Sequence, residues 1–352
     1  MNPLRRLVRS PRLVRAAYAS ARRLPVGSDA ALRLGRTMWR RMAGASPRAA
    51  DDLAVPRRYR PTQPPRSIGR RWPRPPAVDE PSRTVASVGS SGAPGPEFDI
   101  DLMEQLHAEY LAHPLVPVAP GRAAPERAER ARARLLDVHR EIDLADRRVL
   151  EIGCGAGYEV WYLSHHFGAD AWGLDIVERA AWQALADDRT HYVLGDFTAA
   201  RLFDAETFDR IVSFAVWEHI AHPAAALAET FRVLRPGGLA FIKANLHRGP
   251  MASHLYADIA FPYPHLLFGD AVIREFMHRR GRSVTGASWV NRLSWADYES
   301  RMRAIGFRIR ALRFTGQPID EAFYQRFESA LGSYPRTDLA HDFFEVVLEK
   351  PA

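Results

Sequence analysis

The stretch from residue 149 to 160, VLEIGCGAGYEV, constrains the fold of this chain more than any other. Its apolar start predicts a short buried strand of the kind found in parallel sheets. Gly153, Gly155 and Gly157 then turn the chain, and residues 159–167 follow a helical pattern. Such a unit is typical of a nucleotide-binding site, because glycines let a ligand lie against the backbone and a helix N-terminus offers free N–H groups.

The spacing of the glycines distinguishes between adenosine-bearing ligands. The dinucleotide fingerprint requires Gly-x-Gly-x-x-Gly, and Tyr158 occupies the place of its last glycine. The pattern therefore favours a ligand other than NAD(P). An NAD(P)-dependent oxidoreductase on a related sheet remains an alternative.

An acidic residue ends the next predicted strand. Residues 169–174 predict this strand, and Asp175 follows it, about 20 residues after the glycines. A carboxylate at this place can accept hydrogen bonds from ribose hydroxyls. Asp175 could instead cap a helix starting near Val177. The spacing favours the ribose role, with Ile176 in the same site.

The segment Glu151–Gly157, EIGCGAG, resembles the first motif of the class I S-adenosylmethionine-dependent methyltransferases, E-x-G-x-G-x-G, without a departure. Two further segments match the family in order, a strand at 208–214 followed by Trp-Glu-His at 217–219, and FRVLRPGG at 231–238. The resemblance implies a Rossmann-like α/β fold with a mainly parallel seven-stranded sheet, helices on both faces and an antiparallel last strand. It also implies S-adenosyl-L-methionine as the cofactor.

The resemblance extends to individual cofactor-binding residues. It implies that Asp196 accepts a hydrogen bond from the adenine amino group and that Phe197 covers the ring. An Asp after a Gly is also a common turn residue, so a structural role for Asp196 stays open. The predicted cofactor-binding residues are Glu151, Gly153, Cys154, Gly155, Gly157, Asp175, Ile176, Asp196, Phe197 and Phe214.

The predicted chemistry needs few catalytic groups. A sulfonium methyl group is activated by its own charge, so the protein mainly has to orient an acceptor in line with it. A general base helps if the acceptor is a hydroxyl. His219 and His247 follow the fourth and fifth predicted strands, where acceptors meet the cofactor in this fold, and are the candidate bases. His219 could instead fix its loop by a hydrogen bond. No metal site is predicted.

Residues 246–293 are too long for an ordinary connection and predict a cap over the acceptor. Within it, the apolar and aromatic run 255–268 could line a pocket for a lipid, polyketide or glycoconjugate-like acceptor, or it could pack a small core of its own. The basic cluster at 278–282 could bind an acidic group or form a solvated face. We predict O-methylation of a small acceptor with apolar or acidic character.

The chain begins with a basic extension over residues 1–97. Residues 1–90 contain 20 arginines against five acidic residues. Its Pro, Arg, Ser and Gly content predicts a largely disordered segment with short amphipathic helices. Residues 1–28 carry seven arginines and no acid, which suits an anionic membrane surface. A methyltransferase-like scaffold that acts through this extension is a second alternative.

The remaining chain is predicted to contain a helical lid or leader at 98–145 and the methyltransferase domain at 146–352. Nucleic acid is disfavoured as a partner, because Ser213 and Phe214 stand where DNA amino-methylating enzymes have Asn/Asp-Pro-Pro-Tyr/Phe. The apolar runs are shorter than the roughly 18–20 residues that span a bilayer. The single cysteine excludes an internal disulfide. We predict a cytoplasmic protein, and contact of residues 1–28 with the inner face of a membrane is an alternative to a solvated extension.

Overall fold

A computed structural model of the chain describes residues 98–114, 124–199, 201–252, 254–256, 258–282 and 291–352, and for 124–126 the backbone alone. The predictions for the basic extension, including membrane contact through residues 1–28, lie outside the described residues. All described residues belong to one compact unit of the chain.

A seven-stranded sheet forms the centre of the fold, with the strand order β3-β2-β1-β4-β5-β7-β6. The first five strands pair in parallel, and β7 runs antiparallel between β5 and β6. The predicted mainly parallel sheet with an antiparallel last strand is confirmed. The strands are β1 (Arg148–Ile152), β2 (Asp170–Asp175), β3 (Thr190–Leu194), β4 (Phe208–Phe214), β5 (Leu234–Asn245), β6 (Arg308–Gly316) and β7 (His341–Glu349).

Helices cover both faces of this sheet, because the central parallel strands are apolar on both sides. In β1, for example, Val149 packs into one core cluster, and Leu150 and Ile152 pack into the opposite one. The helices are α1 (Ile100–Tyr110), α2 (Ala124–Ile142), α3 (Tyr158–Phe167), α4 (Ala181–Leu185), α5 (Pro223–Val233), α6 (Pro264–Leu267), α7 (Asp270–Arg279), α8 (Trp295–Ile305), α9 (Glu321–Arg326), α10 (Glu328–Leu331) and α11 (Arg336–Ala340).

A third apolar cluster forms apart from the two sheet cores. It contains Met103 and Leu106 of α1, Phe276 of α7 and Leu331 of α10. Residues of the apolar run 255–268 also pack here. This agrees with the interpretation in which the run packs a small core of its own. We call this cluster, with the segments 98–110, 255–277 and 319–339 that build it, the cap. Helix α2 packs instead into a sheet core, so the predicted leader is divided between two cores.

Two local features differ from, or extend, the sequence prediction. The helix expected near Val177 begins at Ala181, because the chain after β2 first makes a turn in which the Val177 N–H donates to Asp175 Oδ1 over 3.0 Å. Helix α8 begins after Ser294, which forms a reciprocal capping box with Asp297. Within the described part of the chain, none of the helices is both long enough and apolar enough to cross a membrane.

Candidate active site

The glycine turn between β1 and α3 has one glycine that faces open space. A Cβ atom on Gly153 would overlap the side chain of Val216, and one on Gly157 would lie 2.5 Å from the ring of Tyr192. Around Gly155, by contrast, no described atom lies within 4 Å of the Cβ position. The outer two glycines are therefore required by the protein's own packing, whereas the backbone at Gly155 is accessible to a ligand.

Two aromatic residues hold the carbonyl groups of this turn, and neither was predicted from the sequence. The indole N–H of Trp182 in α4 donates to Gly155 O over 2.8 Å, and the hydroxyl of Tyr192 in β3 donates to Gly157 O over 2.9 Å. The two rings stack with centroids 5.3 Å apart. Only tertiary contacts identify their role, because aromatic residues at these positions equally suit an ordinary core.

Asp175 is bonded to the same turn. Its Oδ2 accepts from the Gly155 N–H over 2.8 Å. The Asp175 carboxylate therefore fixes the glycine turn. The sequence predicts a ribose contact or a helix cap for this residue and does not indicate this role. Asp175 ends β2 beside the open backbone of Gly155, and its ribose role stays a prediction.

Two large apolar side chains are exposed next to Asp175. Ile176 is 71% exposed and Leu194, the last residue of β3, is 54% exposed. Apolar side chains at the carboxyl ends of neighbouring strands offer a surface to a flat apolar ring. Ile176 is a predicted site residue, whereas the sequence does not single out Leu194, because a residue at the end of β3 also suits an ordinary sheet position.

Asp196 and Phe197 follow directly after β3. Asp196 Oδ1 accepts from the N–H and the hydroxyl of Thr198, each over 2.7 Å, so it forms the turn considered as its alternative role. Phe197 is buried and packs into a sheet core. Their contacts to adenine stay predictions.

A second group of polar side chains lies at the start of α3. Glu151 is buried, and its Oε2 has no hydrogen-bond partner among the described residues. Burial and the nearby Glu159 carboxylate raise the pKa of Glu151, and Arg134 opposes this shift. Arg134 of α2 pairs with Glu159 over 2.8 Å and lies 4.5 Å above the ring of Phe214. Helix α2 thus places Arg134 over the predicted site residue Phe214, a contact that sequence reasoning did not include.

Cys154 lies inside the turn and is buried. Burial, together with the negative charges of Glu151 and Asp175, raises the pKa of its thiol far above the ordinary value. The thiol therefore stays protonated, and the residue acts as a small apolar side chain.

The structure places the two candidate bases in different histidine pairs. The His219 ring contacts His254, with centroids 4.9 Å apart, and the His247 ring contacts His265 at 5.0 Å. Burial lowers the pKa of His247 to about 2, and the neighbouring His265 adds to this shift. An imidazole with this pKa is a weak base.

Glu218 lies beside the first of these pairs, in a 3₁₀ turn at Trp217–His219 that follows β4. It is 1% exposed, and no described side chain donates a hydrogen bond to either of its carboxylate oxygens. Its Oε1 is 3.8 Å from His254 Nε2, which in turn is 3.1 Å from Asn245 Oδ1 at the end of β5. Burial raises the pKa of Glu218 to about 7.

The predicted basic cluster at the end of α7 is occupied by ion pairs within the protein. Arg279 pairs with Glu275 of the same helix. Arg280 pairs with Glu104 of α1, and its guanidinium lies over a cap ring. These contacts give the cluster a structural role in the cap, and binding of an acidic acceptor stays a prediction.

Comparison with known proteins agrees with this geometry. Residues 150–242 match the family model described as a methyltransferase domain. The matched region runs from β1 into β5 and includes the glycine turn, Asp175 and the turn that contains Glu218. Residues 150–242 are therefore a methyltransferase domain of the class I, S-adenosylmethionine-dependent type, and S-adenosylmethionine is the cofactor of this domain.

The relatives are similar over part of their length. A ubiquinone biosynthesis O-methyltransferase of Psychrobacter cryohalolentis is 29% identical over 130 residues, which cover 35% of this chain and 49% of the relative. A 24-methylenesterol C-methyltransferase 2 of Oryza sativa subsp. japonica is 29% identical over 152 residues, 40% of this chain and 41% of the relative. The chain thus spans about half the length, or less, of these relatives. A solved S-adenosylmethionine-dependent methyltransferase from Mesorhizobium loti is 20% identical, with a TM-score of 0.41, covering 63% of this chain and 96% of its own.

Proposed function

We propose that the protein transfers the methyl group of S-adenosylmethionine to a hydroxyl oxygen of a small, partly hydrophobic acceptor. The main support for S-adenosylmethionine as the methyl donor is the open backbone at Gly155, which is bordered by Asp175 and by the exposed Ile176. An adenosine ligand suits this place, because it can lie against the uncovered glycine, beside a fixed carboxylate and an apolar surface.

Each end of the proposed cofactor has matching groups in this chain. Asp175 would accept from the ribose hydroxyls, and Ile176 and Leu194 would contact the adenine ring. Glu151, whose Oε2 lacks a partner among the described residues, suits the ammonium group of the methionine part, because a buried carboxylate gains from a cation. The bound sulfonium supplies a methyl group that is already electrophilic.

The protein's own residues then have to place the acceptor and take up its proton. The carboxyl ends of β4 and β5 carry the cluster of Glu218, His219 and His254. We place the acceptor hydroxyl next to this cluster and favour His219 over His247, because burial lowers the pKa of His247 to about 2. An O-directed reaction is the type that benefits from such a proton-accepting cluster.

The hydrophobic character of the acceptor is supported by the names of the relatives. One is named for ubiquinone biosynthesis and another for a sterol, and both compounds are lipids. The cap contributes a large apolar cluster close in sequence to β5, from which an acceptor pocket can be lined. We propose a lipid-like acceptor with at least one hydroxyl group.

Cofactor binding is tested by calorimetric titration of the full chain with S-adenosylhomocysteine. Binding in the micromolar range, roughly 8 kcal/mol, is expected. Asp175→Ala should abolish it by releasing Gly155 and the ribose contacts. Asp170→Ala is the matched control, because Asp170 begins the same strand and pairs there with Arg148, at the opposite edge of the sheet. NADH serves as the competing ligand.

Equal binding by both variants, or binding of NADH in place of S-adenosylhomocysteine, would contradict the proposed site.

The acceptor is then tested with labelled S-adenosylmethionine and phenols or catechols that carry alkyl chains of increasing length. Turnover that rises with chain length supports a lipid-like acceptor. Transfer to amines alone would refute the O-directed reaction.

A further inference from the structure

We infer that Glu218, His219 and His254 form a binding site for a divalent transition-metal ion. Each of the three residues offers one ligand atom, and these atoms all lie within 4.8 Å of one another. Two imidazoles and one carboxylate are a ligand set that proteins use for zinc and for non-haem iron. This inference goes beyond the proposed methyl transfer, and it can be tested without any acceptor.

The three ligands are brought together by tertiary structure. Glu218 and His219 lie on the 3₁₀ turn after β4, and His254 lies in the connection that follows β5. The turn is held from the other side by Asn291, whose N–H donates to Glu218 O over 2.6 Å and whose side chain donates to Trp217 O over 2.8 Å. The ends of the neighbouring strands β4 and β5, together with Asn291 before α8, therefore fix the positions of the ligands.

The burial of the Glu218 carboxylate is an independent observation that points to a ligand. Its side chain is 2% exposed, and no described side chain donates a hydrogen bond to either carboxylate oxygen, while the backbone N–H groups of Glu218 and Asn245 oppose the rise of its pKa by burial. Burying a carboxylate without a partner costs several kcal/mol, so such groups are normally paired with a cation or coordinate a metal. A group beside it that can carry positive charge is His254, whose Nε2 is 3.8 Å from Oε1. A divalent ion between the two would satisfy the carboxylate directly.

The distances require only small movements to reach a coordinated state. Zinc binds imidazole nitrogen and carboxylate oxygen at about 2.0–2.2 Å, so ligand atoms around it lie about 3–3.5 Å apart. The ligand atoms now lie within 4.8 Å of one another, so shortening these separations by at most about 1–2 Å through side-chain rotation would reach that geometry. His254 Nε2 now lies 3.1 Å from Asn245 Oδ1, and it would exchange this contact for the ion.

The ligand types select the class of ion. Imidazole suits zinc, iron, nickel and copper, whereas magnesium and calcium prefer oxygen ligands alone. Three protein ligands leave at least one coordination position open, as in catalytic zinc sites. At the carboxyl ends of β4 and β5 this position would face the acceptor, and an ion there lowers the pKa of a bound hydroxyl. His219 would then promote proton loss through the ion instead of as a free base.

Metal binding is tested on the full chain, without an affinity tag and after treatment with a chelator. Titration with Zn²⁺ should show one equivalent bound, and Co²⁺ should give the visible absorption of a site with nitrogen ligands. Mg²⁺ should not compete. Glu218→Gln and His254→Asn should each weaken Zn²⁺ binding at least tenfold, because the loss of an outer-shell partner of a ligand already costs about 10–100-fold in affinity.

His191→Asn is the matched control, because His191 also stands beside a carboxylate, Asp170, at 3.1 Å but belongs to no group of three potential ligands among the described residues. It should bind Zn²⁺ like the unaltered chain. Binding of S-adenosylhomocysteine by each variant shows that the fold is retained and separates this test from that of the cofactor site. Absence of stoichiometric Zn²⁺ binding, or equal binding in Glu218→Gln and the unaltered chain, would overturn the inference.

Discussion

At the scale of single residues, the three glycines of the first motif have different tasks. Gly153 and Gly157 have positive φ angles of 76° and 86°, and a side chain on either would meet Val216 or Tyr192. Gly155 also has a positive φ, 50°, but no described atom lies near its Cβ position. The outer glycines therefore serve folding, and the central one serves access to the backbone.

Because the glycines have different tasks, alanine at Gly153 should mainly affect stability, and alanine at Gly155 should mainly affect ligand binding. Gly153→Ala should lower the free energy of unfolding by roughly 2–4 kcal/mol, from a left-handed backbone and overpacking against Val216. Gly155→Ala should cost only about 1 kcal/mol but weaken S-adenosylhomocysteine binding at least tenfold, since a methyl group would occupy the ligand's place. Urea unfolding and calorimetric titration measure the two effects. Equal loss of stability in both variants would contradict this difference.

At the scale of elements, the segment after β5 is tied to the short helix α6 by a pair of histidines. His265 Nε2 donates to His247 O over 2.6 Å, and the Nδ1 atoms of both rings are buried without a hydrogen-bond partner in the described part of the chain. Burial lowers the pKa of His265 to about 4 and that of His247 to about 2. Both rings therefore stay neutral in the folded protein.

The neutral pair predicts that the fold loses stability in mild acid. The unfolded chain takes up protons on these histidines below about pH 6.5, whereas the folded chain resists until its lower pKa values. The stabilisation is thus complete above pH 6.5 and is lost as the pH falls. For His265 the loss amounts to about 3 kcal/mol on reaching pH 4.

His265→Gln isolates this contribution, because glutamine keeps an N–H donor for His247 O and does not titrate in this range. Urea unfolding at pH 7 and at pH 4 should show a smaller loss of stability in the variant than in the unaltered chain, by about 3 kcal/mol. Parallel pH dependence of the two proteins would show that His265 is not held neutral.

At the scale of the whole molecule, the described residues form a sheet with two cores and a cap with a third. The cap takes helix α1 from before the sheet, the connection after β5 and the helices between β6 and β7. Three segments far apart in sequence thus build one apolar cluster. The cap is predicted to control the acceptor, and the glycine turn is predicted to control the cofactor.

Loosening the cap core should therefore affect the two ligands differently. Phe276 is fully buried in the cap and contacts His107 of α1, and Phe276→Ala leaves a cavity that costs about 3–5 kcal/mol. We expect the variant to raise KM for the acceptor while its affinity for S-adenosylhomocysteine stays within twofold. Steady-state kinetics and calorimetry measure the two. A matching loss of cofactor affinity would show that the cap and the cofactor site are one unit.

The sequence by itself determined the sheet and the place of the cofactor turn. The apolar run and the glycine spacing of the first motif depend on neighbours a few residues away, so local pattern predicts β1 and its turn. The seven-stranded sheet followed from the resemblance of the motifs between residues 151 and 238 to the methyltransferase family. Tertiary structure alone decided that Trp182 and Tyr192 hold the turn, that α2 brings Arg134 over Phe214, and that the cap is assembled from three segments. It also decided that His254 meets Glu218, because contacts between distant segments depend on how the packed elements cross, and no local pattern records this.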